Sequence, residues 1–190
     1  MKNFKSIKTI KLLALLFVAN IAAVSCSSDD DGDDHGHHHD EELITTVTYR
    51  LTNGTDVVTL EFQDLDGDGS AAPTYDISGP LTANTTYTGS IQLLNETENP
   101  ADNITEEVQN EGDEHEFFIS SSISDIAITK TDVDENGNPI GIESSLTTGN
   151  AGTGTLTVIL KHEPTKPNDG TADGAGGSTD VQVTFNIEVQ

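Results

Sequence analysis

From Leu43 to the C-terminus, apolar side chains alternate with Thr, Gln or Glu at every second position, and this period of two restricts the fold more than any other feature of the sequence. Successive side chains of an extended strand point to opposite faces, so such runs build sheets with one apolar and one polar side. The pattern predicts strands over 44–51, 56–62, 86–93, 115–119, 126–130, 140–146, 156–160 and 181–189, with turns at Asn53-Gly54, Asn136-Gly137 and 149–152. Asn103, followed three residues on by Glu106 and then by Glu107-Val108-Gln109, reads as the start of one short acidic helix between strands. About eight strands and one short helix in a segment of this size suit an all-β fold, a single antiparallel Ig-like β-sandwich over 43–190. The Gly/Pro/Asp-rich connection 163–179 is long for an ordered loop, which marks it as functional or mobile.

The alternation does not extend to the N-terminal part. Residues 1–25 carry Lys2, Lys5, Lys8 and Lys11 and then the apolar run 12–24, which is too short for a comfortable membrane span and reads as an export signal peptide. The only cysteine follows it in Ala23-Val24-Ser25-Cys26. This resembles a bacterial lipobox, with Ala23 where that box usually has Leu, and the resemblance implies lipidation at Cys26. The next residues, Ser27-Ser28-Asp29-Asp30-Asp31, resemble the acidic tag that sends Bacteroidota lipoproteins to the outer face of the outer membrane. Segment 26–42 has almost no apolar side chain with which to build a core, so it is expected to be a disordered tether in front of the domain.

Charge removes one class of partner. The chain has 33 acidic and eight basic residues, a formal net charge of −25, and half of its basic residues precede Cys26. Such a surface attracts cations and has little to offer a phosphate backbone, so no nucleic-acid partner is expected.

The segment 152–170, with 176–185 and with Glu106-Glu107 through His115-Glu116-Phe117-Phe118, resembles a group of small surface lipoproteins of Bacteroidota over nearly the whole mature chain. The group brings no established activity. The resemblance implies a link to outer-membrane transport receptors and metal supply. The periplasmic-binding-like label given to members implies alternating strands and helices, which this sequence does not show.

Six histidines and many carboxylates are the candidate ligands. His35, His37, His38 and His39 with Asp40 lie in the acidic tether, where imidazoles and neighbouring carboxylates suit loose capture of zinc-like divalent ions; a polar low-complexity tail is the plainer reading. His115 opens one predicted strand and His162 closes another, each on the apolar face. If those strands run antiparallel, the two imidazoles meet at one rim and could share an ion with a carboxylate. Glu114, Glu116 and Glu163 are nearby in sequence, although alternation turns each away from the neighbouring histidine. Two rim histidines making ordinary hydrogen bonds is the alternative.

Two acidic loops suggest calcium. Asp132, Asp134, Asn136, Gly137 and Glu143 match the spacing of an EF-hand loop, but strands flank them instead of helices, so a hairpin with an Asn-Gly turn explains the same residues. Asp64, Asp66 and Asp68 match its first half. There is no thiol nucleophile beyond Cys26, no Gly-x-Ser-x-Gly or His-Glu-x-x-His, and no phosphate-cradling loop, so no enzyme is expected. The expectation is an outer-membrane lipoprotein at the cell surface that binds a divalent metal, zinc first, and passes it to a receptor. The alternative is a structural or adhesion sandwich for a protein or glycan, with calcium-stiffened loops.

Overall fold

Gly54, at φ 58°, closes a hairpin in which Asn53 faces Asp56, and from this turn the first two strands run apart in antiparallel register. The computed structural model describes residues 43–66 and 70–190. In chain order these contain β1 (Thr46–Asn53), β2 (Asp56–Gln63), β3 (Thr74–Ile77), β4 (Thr86–Leu94), α1 (Ile104–Asn110), β5 (His115–Ser121), β6 (Ala127–Lys130), β7 (Glu143–Thr147), β8 (Gly152–His162), α2 (Ala172–Ala175) and β9 (Ser178–Val189). All the strand pairs are antiparallel. One sheet has six strands in the order β3-β2-β1-β4-β7-β6, and the second has three in the order β5-β8-β9.

The two apolar faces meet in one core. Val47, Tyr49 and Leu51 of β1 and Tyr87, Ile91 and Leu93 of β4 pack with Leu156, Val158 and Leu160 of β8 and Val183, Phe185 and Ile187 of β9. Strand β9 shows the alternation most clearly: Val183, Phe185, Ile187 and Val189 are buried, while Gln182, Thr184, Asn186 and Glu188 are exposed. The all-β sandwich expected from the periodicity is therefore present.

Three local differences have physical causes. Strand β3 has only four residues between Pro73 and Ser78-Gly79-Pro80, too few to display a period, and it forms by pairing with the edge of β2. Strand β8 starts at Gly152, because Gly152-Thr153-Gly154 is drawn into register with β9 although its composition reads as a turn. Residues 140–142 keep their buried isoleucines but bridge the sheets instead of extending β7: the Ile140 carbonyl accepts from Phe117 N in β5 (2.7 Å), and the Ile142 carbonyl from Ile91 N in β4 (2.9 Å). On another edge, Leu81 N donates to the Glu188 carbonyl and Gln190 N to the Leu81 carbonyl, fastening β9 to the segment before β4.

Helix α1 buries Ile104 and Val108 on one side, one helical turn apart. Asn103 precedes it as expected, but its side-chain amide donates to the Glu106 carboxylate (2.9 Å) and does not cap a backbone amide.

Within the core, the Tyr49 hydroxyl and Ser144 Oγ lie 2.7 Å apart. Burial, partly offset by that hydrogen bond, pushes the Tyr49 hydroxyl up to about 12. Gly89 leaves room for this pair, because a Cβ there would fall 2.6 Å from both Ser144 Oγ and the Tyr49 hydroxyl oxygen. The Gly89→Ala chain is expected to be less stable by about 1–3 kcal/mol, the usual cost of overpacking, as read from urea midpoints.

Candidate metal centre

The register of β5 against β8 sets His115 directly opposite His162. The same register places Phe117 opposite Leu160 and Ile119 opposite Val158, so the residues that face the core bring the two imidazoles inward with them. The rings stack with centroids 4.8 Å apart and planes 15° from parallel. His115 is fully buried and His162 is 7% exposed.

The third member comes from β9. Pairing between β8 and β9 shifts at Leu160/Lys161: Leu160 faces Val181 and Lys161 faces Thr179, which leaves Asp180 as the extra residue of a bulge. Strict alternation would send Asp180 to the face opposite Val181. The bulge re-aims it, and its side chain, 1% exposed, faces a nitrogen of each ring, with Oδ2 3.8 Å from His115 Nε2 and Oδ1 3.9 Å from His162 Nδ1. One donor atom from each of His115, His162 and Asp180 lies within 4.8 Å of the other two, so the cluster could hold a metal ion. Two glycines return the chain from β8 to this point. Gly176 (φ 70°) and Gly177 (φ 69°) are both left-handed, and a Cβ on Gly177 would overlap the His162 carbonyl oxygen.

The turn after α1 orients the first ring. Glu114 N donates to the Glu111 carbonyl (2.9 Å), and the same carbonyl lies 3.2 Å from His115 Nδ1. At the end of β8, Glu163 N donates to the Glu114 carbonyl (2.7 Å), and Glu114 Oε2 lies 3.9 Å from His162 Nε2.

Other candidate residues have different positions. Glu116 is not a ligand of this cluster: it faces the opposite side of β5, where its carboxylate pairs with Lys130 and accepts from Asn168 Nδ2 (2.6 Å). Lys130 also caps the Phe118 ring, 4.0 Å from its centroid, and burial lowers its pKa against the raising effect of Glu116. Glu163 is exposed beyond the end of β8, at φ 51°, and Asp180 takes the place expected of a neighbouring glutamate. Cys26 and the tether residues His35, His37, His38, His39 and Asp40 lie outside the described residues, as does Asp68.

No protein-family profile, curated protein or solved structure matches this chain.

Residues 131–142 connect β6 to β7, which pair as a hairpin. Asp132 accepts from Gly141 N (2.8 Å) and Ile142 N (2.9 Å). Asp134 accepts from Asn136 N and Asn138 N (2.9 and 2.8 Å), with Lys166 Nζ at 3.5 Å, and Gly137 at φ 84° completes the turn. These carboxylates thus hold backbone amides. Glu143 is spaced as the loop's last ligand, but its carboxyl is raised by burial and by the nearby Asp132. In the other loop, Asp66 Oδ2 accepts from Ser70 Oγ (2.7 Å) and Ala71 N (2.6 Å).

Asp134 gives a pH prediction. Burial pushes its carboxyl up, but the donors of Asn138 and Asn136, with Lys166, outweigh burial and hold it below its ordinary value of 3.8. A lowered carboxyl stabilises the fold fully above the unfolded-state value, and the contribution disappears as pH falls through the lowered one. Asp134→Asn is therefore expected to lower the urea midpoint at pH 7 and pH 5, with the gap to the parent chain closing below about pH 4.

Proposed function

We propose that this protein is a non-enzymatic, lipid-anchored surface protein whose domain binds one divalent transition-metal ion, zinc first, through His115, His162 and Asp180. The observation that carries this reading is the convergence of these three buried donors from three adjacent strands within 4.8 Å. Two imidazoles and one carboxylate suit zinc and its neighbours, whereas calcium prefers a shell of six to eight oxygens. Donors held tetrahedrally by a zinc ion at ~2.0–2.2 Å stand about 3.3–3.6 Å apart, so donor atoms within 4.8 Å of one another would draw together as the ion binds. Because each strand of the smaller sheet supplies one ligand, the ion would staple the end of that sheet.

In the same reading, Cys26 anchors the chain to the outer membrane, His35, His37, His38, His39 and Asp40 raise the local concentration of the ion, and a membrane receptor is the partner. The acidic balance of the sequence supports a role with cations.

An ion bound only by the native state raises its stability by about 2.7 kcal/mol at a hundredfold excess over Kd. For a domain of this size that corresponds to a rise in Tm of roughly 5–10 °C. Zinc is expected to produce such a shift in the chain from Leu43 onward, reversed by EDTA, with one ion per chain by calorimetry. His115→Ala, His162→Ala and Asp180→Asn are each expected to abolish it. Absence of a zinc-dependent shift in the parent chain, or its persistence in all three variants, would remove the metal reading.

A further inference from the structure

Each imidazole has two nitrogens, and a metal takes only the one that carries no proton. Which nitrogen keeps the proton is decided by the group that accepts from it. The two histidines of the centre are oriented in opposite senses. His115 turns Nε2 toward Asp180 and has Nδ1 3.2 Å from the Glu111 carbonyl, which can only accept. His162 turns Nδ1 toward Asp180 and Nε2 toward Glu114 Oε2, 3.9 Å away. A carbonyl behind one ring and a carboxylate behind the other are the outer partners that metal-binding histidines commonly use.

We propose that Glu114 is a positioning residue of the metal centre. It accepts the Nε2 proton of His162 and so presents Nδ1 to the ion, while the Glu111 carbonyl holds the Nδ1 proton of His115 and leaves Nε2 to bind. The assignment rests on the metal reading above and adds a residue outside the three-donor cluster. Two further observations support it. Glu114 lies next to His115 in the chain, and its carbonyl accepts from Glu163 N, the residue after His162, so the backbone holds it at the end of β8. The oxygen that faces His162, Glu114 Oε2, is itself buried at 3.9 Å from Nε2, so a small approach of the ring toward it as the ion binds brings the two to hydrogen-bond distance. An ion placed on His162 Nε2 instead would sit on the Glu114 side of the ring, away from the Asp180 oxygen that faces Nδ1.

The test uses the mature chain from Cys26 onward with His35, His37, His38 and His39 replaced by Ala, so that only the domain centre is titrated. Long-range ¹H–¹⁵N correlation of the ring nitrogens, with zinc bound, is expected to show Nε2–H with metal-bound Nδ1 for His162 and the reverse for His115. This measurement needs no change at Glu114, so it stands even if a variant fails to fold. In competition titrations with zinc, Glu114→Ala is expected to bind one ion about 10–100-fold more weakly. Glu114→Gln, whose amide oxygen still accepts from Nε2, should recover most of that loss. Metal on His162 Nε2, or Glu114→Ala binding zinc as tightly as the parent, would overturn the proposal. Loss of binding in Asp180→Asn alongside those results would leave the metal reading intact, whereas parent-like binding by Asp180→Asn and His115→Ala would end both.

Discussion

The pairing register of β8 is the constraint on which the rest of the structure depends. It is the middle strand of the smaller sheet, hydrogen-bonded to β5 on one side and β9 on the other, and Leu156, Val158 and Leu160 face the six-stranded sheet from it without exposure. A slip of one residue would turn all three outward and put Thr157, Ile159 and Lys161 into the core. His162 continues that inward row at its end, and His115 faces it because Phe117 and Ile119 face Leu160 and Val158. The two imidazoles thus take their position from the hydrophobic packing. Two imidazoles and a carboxylate placed together in this way could hold a metal ion with one bond from each.

The connection from β8 to β9 sets the remaining distance. It leaves at His162 and returns at the bulge that carries Asp180, so the shape of the intervening loop determines how near the carboxylate comes to the rings. The loop is pinned at several points: Asn168 donates to Glu116 on the outer face of β5, Lys166 holds the Gly112 carbonyl with Asp134 nearby, and Thr165 N donates to the Ala175 carbonyl. The turn after α1, the hairpin after β6 and the loop before β9 meet through these bonds close to the centre. The acidic residues of the β6–β7 hairpin therefore take part in structural order, although their spacing resembles that of a calcium loop.

The sequence shows some of this and conceals some, for reasons that differ by residue. Strand β9 was legible because four buried and four exposed side chains alternate without interruption. The meeting of His115 and His162 was legible because both lie at strand ends on apolar faces, and antiparallel pairing brings a start beside an end. Strand β3 was not, since four residues between prolines carry no period and become a strand only by lying along β2. Asp180 was not, because alternation assigns it outward and only a shift in pairing with another strand reverses that. The paired glycines Gly176-Gly177 were the available signal, marking a chain that must turn sharply just before it.

By itself the sequence determined the all-β class, the inward and outward faces of most strands, and the two histidines at matching ends. These follow from side-chain period and composition, which are local properties. The tertiary structure alone decided the six-and-three division of strands, the bridging role of residues 140–142, and the placing of Asp180, and not Glu116 or Glu163, beside the two imidazoles. Each of those depends on which backbone groups find partners far away in the chain, and on one bulge whose cost or gain exists only when β8 and β9 lie side by side.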